Sequence, residues 1–431
     1  MNFSNQLDFA LELDASDPLK SYRDLFHIPI HNGAEVAYFT GNSLGLQPKS
    51  ARAYVERVMK DWETMAVEGH FYSKEPWWEY HEKLAAPLAS LVGAKTPEVS
   101  VMNTLTVNLH FLMVSFYRPS PKRFKILCEE KAFPSDQYML QSQVKFHGYD
   151  PDTAIVTVKK RPGENAWREE DLLEAIALHG DSLALVLMGG VNYYNGQVFP
   201  MKSITAKAKE QGAFVGWDLA HAVGNVPLQL HDWGVDFASW CSYKYLNSGP
   251  GNAAAIYINE QYLNRTDFPR FEGWWGTEKG LRFKMEPNFT PMDNADAWQV
   301  SNAAILAMAP FLASLDSFKT VPQEDLWSKQ SRLVSYMSFV IESVAATAPF
   351  DILILTPEYR GSQLSVYFHE HGRAIFDYLM SQGVVTDWRE PNVIRLAPVP
   401  LYNTFTEVWH FYSALKAIIF EVYATSKSVH A

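Results

Sequence analysis

The sequence predicts an α/β fold: a large domain on a doubly wound, mostly parallel sheet, and a smaller α+β domain. Two observations carry that reading. Between roughly Val99 and Asn259, apolar β-like runs alternate with helical stretches, the pattern that lays helices on both faces of a parallel sheet. After Pro310 the texture changes to a long helical stretch followed by short strands and helices. A chain of 431 residues suits one large and one small domain, and a hydrophobic share of 47 % is enough to fill their cores.

The first 60 or so residues hold a short helix-like region, the turn-rich GNSLGLQPKS at 41–50, and an amphipathic run from about Ala51. Strand-like runs follow: RFKILCE (123–129), TAIVTVK (153–159), LALVLMG (183–189), AFVGWD (213–218), FASWCSY (237–243) and AAAIYI (253–258). Helical patterns fall between them, notably Glu169–Leu178 and Lys202–Gln211. Beyond Pro310 come a helix over Leu326–Ala346, strands DILIL and QLSVYF, and a helix near Arg373–Met380. Strands VVTDW and VIRLA and a final helix over Thr406–Ala424 complete the chain. The expected division is therefore a large domain at 51–310 and a small one from 1–50 and 311–431.

Composition excludes several function classes. Acidic residues number 48 against 37 basic, a formal charge of −11, which argues against nucleic acid or an anionic membrane as the main partner. There is no apolar run of 18 residues, and the N-terminal stretch MNFSNQLDFALELDASD is acidic without an apolar signal region, so a soluble cytoplasmic protein is expected. Two cysteines, Cys128 and Cys241, cannot build a disulfide framework and read as buried free thiols.

In a doubly wound sheet, ligands bind at the carboxyl ends of the strands. The polar residues just beyond the apolar runs are Asp136, Asn192, Asp218, His221, Tyr243 and Lys244. Lys244, in CSYKYLNSGPGN, stands at a strand-to-loop exit, where a lone lysine is ordinarily a surface group. Asp218 closes the run AFVGWD on a neighbouring sheet element, so the two can converge on one cleft. Pyridoxal 5′-phosphate needs such a pair: an amine to bond its aldehyde, and a carboxylate to keep its pyridine nitrogen protonated. The stretch Asn103–Asn108 precedes an apolar helical run and offers hydroxyl and backbone N–H donors for a phosphate, although a simple helix cap reads equally well. Phe133, after RFKILCE, is placed to stack on a ring or to fill the core.

Taken together, these residues resemble the kynureninase family, fold-type-I pyridoxal phosphate enzymes of the aspartate aminotransferase superfamily. The resemblance covers nearly the whole chain. It rests on GNSLGLQPK (41–49), NTLTVNLH (103–110), FPSD (133–136), GGVNYYNGQ (189–197), WDLAHAVGN (217–225), CSYKYLNSGPGN (241–252), GWWGTE (273–278), VSNAAIL (300–306) and VIRLAPVPLYN (393–403). It implies a seven-stranded, mostly parallel sheet, and hydrolysis of the Cβ–Cγ bond of L-kynurenine or 3-hydroxy-L-kynurenine to an aminobenzoate and L-alanine. It further implies that Lys244 bonds the cofactor and moves the substrate's α-proton, that Asp218 pairs with the pyridine nitrogen beside His221, and that Tyr243 binds the phosphate and assists proton transfer. Leu105 and Thr106 would meet the phosphate. Phe133 would stack on the ring, with Pro134, Ser135 and Asp136 on the same loop. Arg395 would fork onto the substrate carboxylate, a geometry its guanidinium suits. Trp274 and Asn302 match positions that reach across from the second subunit of a homodimer, and His70, Asn302 and Thr277 match positions near the aryl ring. Two positions depart from the family pattern: Thr277 stands where histidine is expected, and Gly189 where a hydroxyl residue is common.

Other chemistries fit less well. Gly41-Asn42-Ser43-Leu44-Gly45 matches the G-x-S-x-G nucleophile elbow of hydrolases, but Gln47-Pro48 follows where a helix is required. His369-Glu370-His371 lacks a third metal ligand, so no metal site is expected. A desulfurase-like lyase or aminotransferase of the same fold is the nearer rival. A desulfurase, however, needs a loop cysteine, and Cys241 lies in a strand-like run.

Overall fold

A computed structural model describes residues 2–429. The chain forms two compact units, one of residues 50–193 and 198–319, the other of residues 1–49, 194–197 and 320–431.

The larger unit is built on a seven-stranded sheet. Its strands are β1 (Val99–Met102), β2 (Lys125–Glu129), β3 (Ile155–Val158), β4 (Leu183–Gly189), β5 (Phe214–Asp218), β6 (Phe237–Trp240) and β7 (Ala254–Ile258). They lie in the order β1-β7-β6-β5-β4-β2-β3. All pairings are parallel except those of β7, which runs antiparallel to both β1 and β6. Strands buried on both faces read as continuous apolar runs rather than alternating ones, as LALVLMG in β4 does. The six apolar runs all became strands; β1, whose four residues VSVM are all buried, is the seventh.

Packing fixes how close the central strands come. Phe237 of β6 stacks on Phe116 with ring centroids 4.5 Å apart. Its ring lies against Gly216 of β5, where a Cβ would stand only 2.1 Å from it. The helix Ile305–Phe318 also belongs to this unit, with Pro310 inside it, so the change of texture after Pro310 falls within a helix. It packs on the helix Ala51–Met65, where the Tyr54 hydroxyl donates to Asp316 at 2.5 Å.

The smaller unit carries a four-stranded antiparallel sheet of β8 (Ile352–Ile354), β9 (Leu364–Phe368), β10 (Asp387–Arg389) and β11 (Val393–Leu396), in the order β8-β9-β11-β10. The expected strand VVTDW is split: Val384–Val385 pairs in parallel with Ala37–Tyr38, while Asp387 begins β10. Helices Gln323–Ala345, Gly372–Ser381 and Phe405–Val429 complete it. The N-terminal helix Leu7–Ala15 buries Ala10 and Leu13 in the same core as Val340 and Phe405. Its Asp14 carboxylate accepts from the backbone N–H groups of Phe405 (2.7 Å) and Thr406 (2.9 Å), the start of the last helix. Both cysteines are free and buried.

Candidate active site

Three adjacent strands of the larger unit end in the groups that matter most. β2 ends at Glu129, β4 at Gly189 and β5 at Asp218, with Gly189 and Asp218 directly paired across the sheet. Asp136 joins them from the helix Pro134–Phe146, which starts on a proline whose missing N–H would be unpaired there in any case. Asp136 and Asp218 are both buried and lie within hydrogen-bonding reach of one another. Burial, reinforced by the charge of Asp218, raises the Asp136 carboxyl well above its ordinary range, while Lys244 pulls it back down. Asp218 also accepts from the Ala220 N–H at 2.8 Å, which fixes the turn carrying His221. His221 is buried, and its carbonyl accepts from Asn225 at 2.8 Å.

Lys244 lies just past β6, in a turn tied off by several short contacts. The Ser242 and Ser248 hydroxyls meet at 2.6 Å, the Asn247 N–H donates to the Lys244 carbonyl at 3.0 Å, and Asn252 donates to the Ser248 carbonyl at 2.6 Å. Asn247 takes a left-handed φ of 52°, which asparagine tolerates better than most residues. Tyr243 is half-buried. Burial, then the neighbouring Cys241 thiol, raises its phenol. Cys241 is itself raised by burial and lowered by Lys244. Thus the buried Asp136 and Asp218 and the half-buried Tyr243 and Lys244 are linked electrostatically. With Glu129, three buried carboxyl groups gather near one ammonium, a charge balance suited to a further cation.

At the start of the helix Leu105–Phe116, Thr104 makes no capping bond through its side chain, and Leu105 and Thr106 are half-buried in the first turn. The left-handed Asn103 (φ 46°) and the bond from its side chain to Asn108 (3.1 Å) shape the loop ahead of it. First-turn N–H groups have no partner within their own helix, so this turn can receive an anion. Phe133 is half-exposed and meets Tyr193 edge-on at 5.1 Å, with Pro134 and partly buried Ser135 following.

The remaining expected residues lie elsewhere. Trp274 is exposed; its indole donates to the Arg282 carbonyl at 2.7 Å, and its ring meets Trp78, Trp275 and Phe283. Asn302 is exposed and Thr277 partly buried. The His70 ring packs edge-on against Trp77, with Nδ1 3.0 Å from the Val67 carbonyl. Arg395 belongs to the smaller unit, where it is 1 % exposed and ion-paired with Asp387. Ser43 donates to the same Asp387 carboxylate at 2.5 Å and lies 3.3 Å from Arg395. Ser43 sits on a turn with no helix directly after it, so no nucleophile elbow forms. His369 and Glu370 form an exposed bend.

Sequence reasoning passed over Glu129 and Asp387. Glu129 ends an apolar run, so the rule that selected Asp218 also reaches it. Asp387 gave no such signal, because its pairing with Arg395 across β10 and β11 depends on register.

Comparison with known proteins agrees with this architecture. The family model described as aminotransferase class-V matches residues 80–280, and that described as kynureninase C-terminal domain matches 326–415. A kynureninase of Flavobacterium psychrophilum is 59 % identical, covering 98 % of this chain and 100 % of the relative. One of Christiangramia forsetii is 58 % identical over 96 % and 99 %. Among solved structures, a C-DES variant with glycine covalently linked to its PLP cofactor matches with a TM-score of 0.75 at 17 % identity, covering 89 % of this chain and 97 % of that one. A cysteine desulfurase from Escherichia coli matches with a TM-score of 0.75 at 15 % identity, over 94 % and 98 %. With relatives this similar along nearly its whole length, the chain belongs to the kynureninase family.

Proposed function

We propose that this protein is a pyridoxal phosphate-dependent kynureninase that hydrolyses L-kynurenine, 3-hydroxy-L-kynurenine or both to an aminobenzoate and L-alanine. The observation that carries the reading is the buried Asp136–Asp218 pair at the carboxyl ends of the parallel strands, with the half-buried Lys244 acting on Asp136. A protonated pyridine nitrogen is the cation that such a carboxyl cluster accepts, so the donor set fits the cofactor. When bound, the cofactor supplies an electron sink for charge developing on the substrate's carbon skeleton.

The chain's own residues do the rest. Asp218, steadied by the Ala220 N–H, would hold the ring nitrogen protonated, with Asp136 beside it. Lys244 would hold the cofactor aldehyde, and its amine would accept the substrate's α-proton. The first turn at Leu105 and Thr106, with Tyr243, would hold the phosphate. Phe133 and His221 would flank the ring. Arg395, already oriented by Asp387, offers its fork to the substrate carboxylate. One water is consumed: its hydroxyl ends in the aryl carboxyl group, and its hydrogen in the methyl group of alanine.

The same reading makes the active form a homodimer, with Trp274 and Asn302 given to the partner's site and His70 and Thr277 beside the aryl ring. An exposed aromatic patch supports a second copy as partner: Trp274 meets the ring of Phe283 (64 % exposed), which in turn meets exposed Phe71. Apolar surface of this kind is what subunit interfaces cover. No helix among the described residues is long and apolar enough to cross a membrane.

Turnover of L-kynurenine and 3-hydroxy-L-kynurenine by purified protein with added cofactor, with the aryl acid and alanine both quantified, tests the activity. Equimolar alanine from either substrate is expected, as is its loss in Lys244→Ala. Turnover surviving in that variant would remove Lys244 from its role.

A further inference from the structure

One buried acid of the cluster has no place in the scheme above. Glu129 is 3 % exposed at the end of β2, which lies between β4, the strand that ends at Gly189, and β3. Its Oε1 accepts from the Gly189 N–H at 3.3 Å, while its buried Oε2 has no hydrogen-bond partner. A carboxyl oxygen left in that state costs free energy when ionised and much less when it carries a proton. Gly189 keeps the contact close. A Cβ there would lie 3.2 Å from Oε1, so a serine at this position would bring a hydroxyl onto the same carboxyl group.

We infer that Glu129 is a positioning residue for the cofactor: a buried carboxyl that gains and loses a proton and so adjusts the charge felt by the Asp136–Asp218 pair and, through it, by the ring nitrogen. The inference rests on the cofactor reading above. Burial pushes the Glu129 carboxyl up to about 7, with the backbone N–H groups of Glu129 and Gly189 opposing and the charge of Asp218 reinforcing the shift. Asp136 and Cys128 feel its charge in turn, and Lys244 is the cation acting on Asp136. Below neutrality the cluster therefore carries one negative charge fewer than above it. A negative charge on Glu129 favours every protonated form of the neighbouring cationic groups, and so raises the pH at which the bound cofactor loses its proton.

Glu129→Gln keeps the shape and removes the titration. Two readouts apart from turnover test it. In cofactor-free protein, infrared spectroscopy should show, beside the absorption of Asp136, a protonated-carboxyl component that disappears as pH passes about 7 and is missing from the Glu129→Gln spectrum. In the holoenzyme, the visible absorption of the bound cofactor, titrated with pH, should shift its midpoint downward in the variant by roughly half to one unit. Gly189→Ser, should Glu129→Gln fold poorly, lets a hydroxyl donate to Glu129 and should move the infrared midpoint to lower pH. Infrared bands and absorption titrations identical in wild type and variants would overturn the proposal. A wild-type protein that takes up no cofactor would instead sink the reading on which it rests, which separates the two failures.

Discussion

At the scale of single residues, the small unit holds one arginine firmly in place. Arg395 is buried, and Asp387 and Ser43 fix its guanidinium. Arg395→Lys replaces a planar fork by a point charge, so KM for kynurenine should rise about tenfold or more with a smaller change in kcat. An unchanged KM would take Arg395 out of the carboxylate site. Glu129 bears on stability. Its folded pKa of about 7 lies above the ordinary 4.5. The folded state thus binds the extra proton, and the stabilisation is full below pH 4.5 and lost as pH rises through 7, by about 3 kcal/mol. Urea unfolding of cofactor-free protein at pH 5 and pH 8 should record that fall, reduced in Glu129→Gln. Lys244 and Asp218 were legible because strand ends in a parallel sheet are where chemistry gathers. Glu129 ends β2 just as Asp218 ends β5, and it was passed over because the cofactor's ring nitrogen calls for one carboxylate, a role Asp218 already filled.

At the scale of elements, six of the seven strands of the large sheet stand in the sequence as apolar runs; five of them are buried along most of both faces, and β3, at the edge, is only partly covered. β1 was missed because it is four residues long and lies next to a polar loop, leaving little pattern to see. VVTDW read as one strand, yet the chain divides there between two sheets. No local pattern encodes that choice, which depends on where Ala37–Tyr38 lies. The close approach of β5 and β6 was equally hidden, because the need for glycine at 216 comes from a phenylalanine 21 residues away. Gly216→Ala should therefore cost about 1–3 kcal/mol in chemical denaturation, as overpacked cores do. Since Gly216 lies two residues before Asp218, the variant should also hold the cofactor less firmly, measured by its release on dilution. A variant as stable as wild type would mean that the Phe237 ring has room to move.

At the scale of the whole molecule, the exposed aromatic patch around Trp274 makes a test of shared sites possible. If Trp274 serves the partner's site, Lys244→Ala and Trp274→Ala subunits fail for different reasons. In a mixed dimer, one of the two sites receives both intact groups. Inactive parents, unfolded and refolded together in equal amounts, should then recover roughly a quarter of wild-type activity. No recovery, with mixed dimers demonstrated by tags on the two parents, would confine Trp274 to its own subunit.

The docking of Leu7–Ala15 on the last helix has a consequence for synthesis on the ribosome. Ala10 and Leu13 are made more than 300 residues before their partners in the core, Val340 and Phe405. At ordinary translation rates the early helix waits on the order of tens of seconds for the segment whose N–H groups Asp14 receives. Residues 50–319, with their own sheet complete, can fold during that interval. The helix Leu7–Ala15 can bury its apolar face only when the helix that starts at Phe405 has been made.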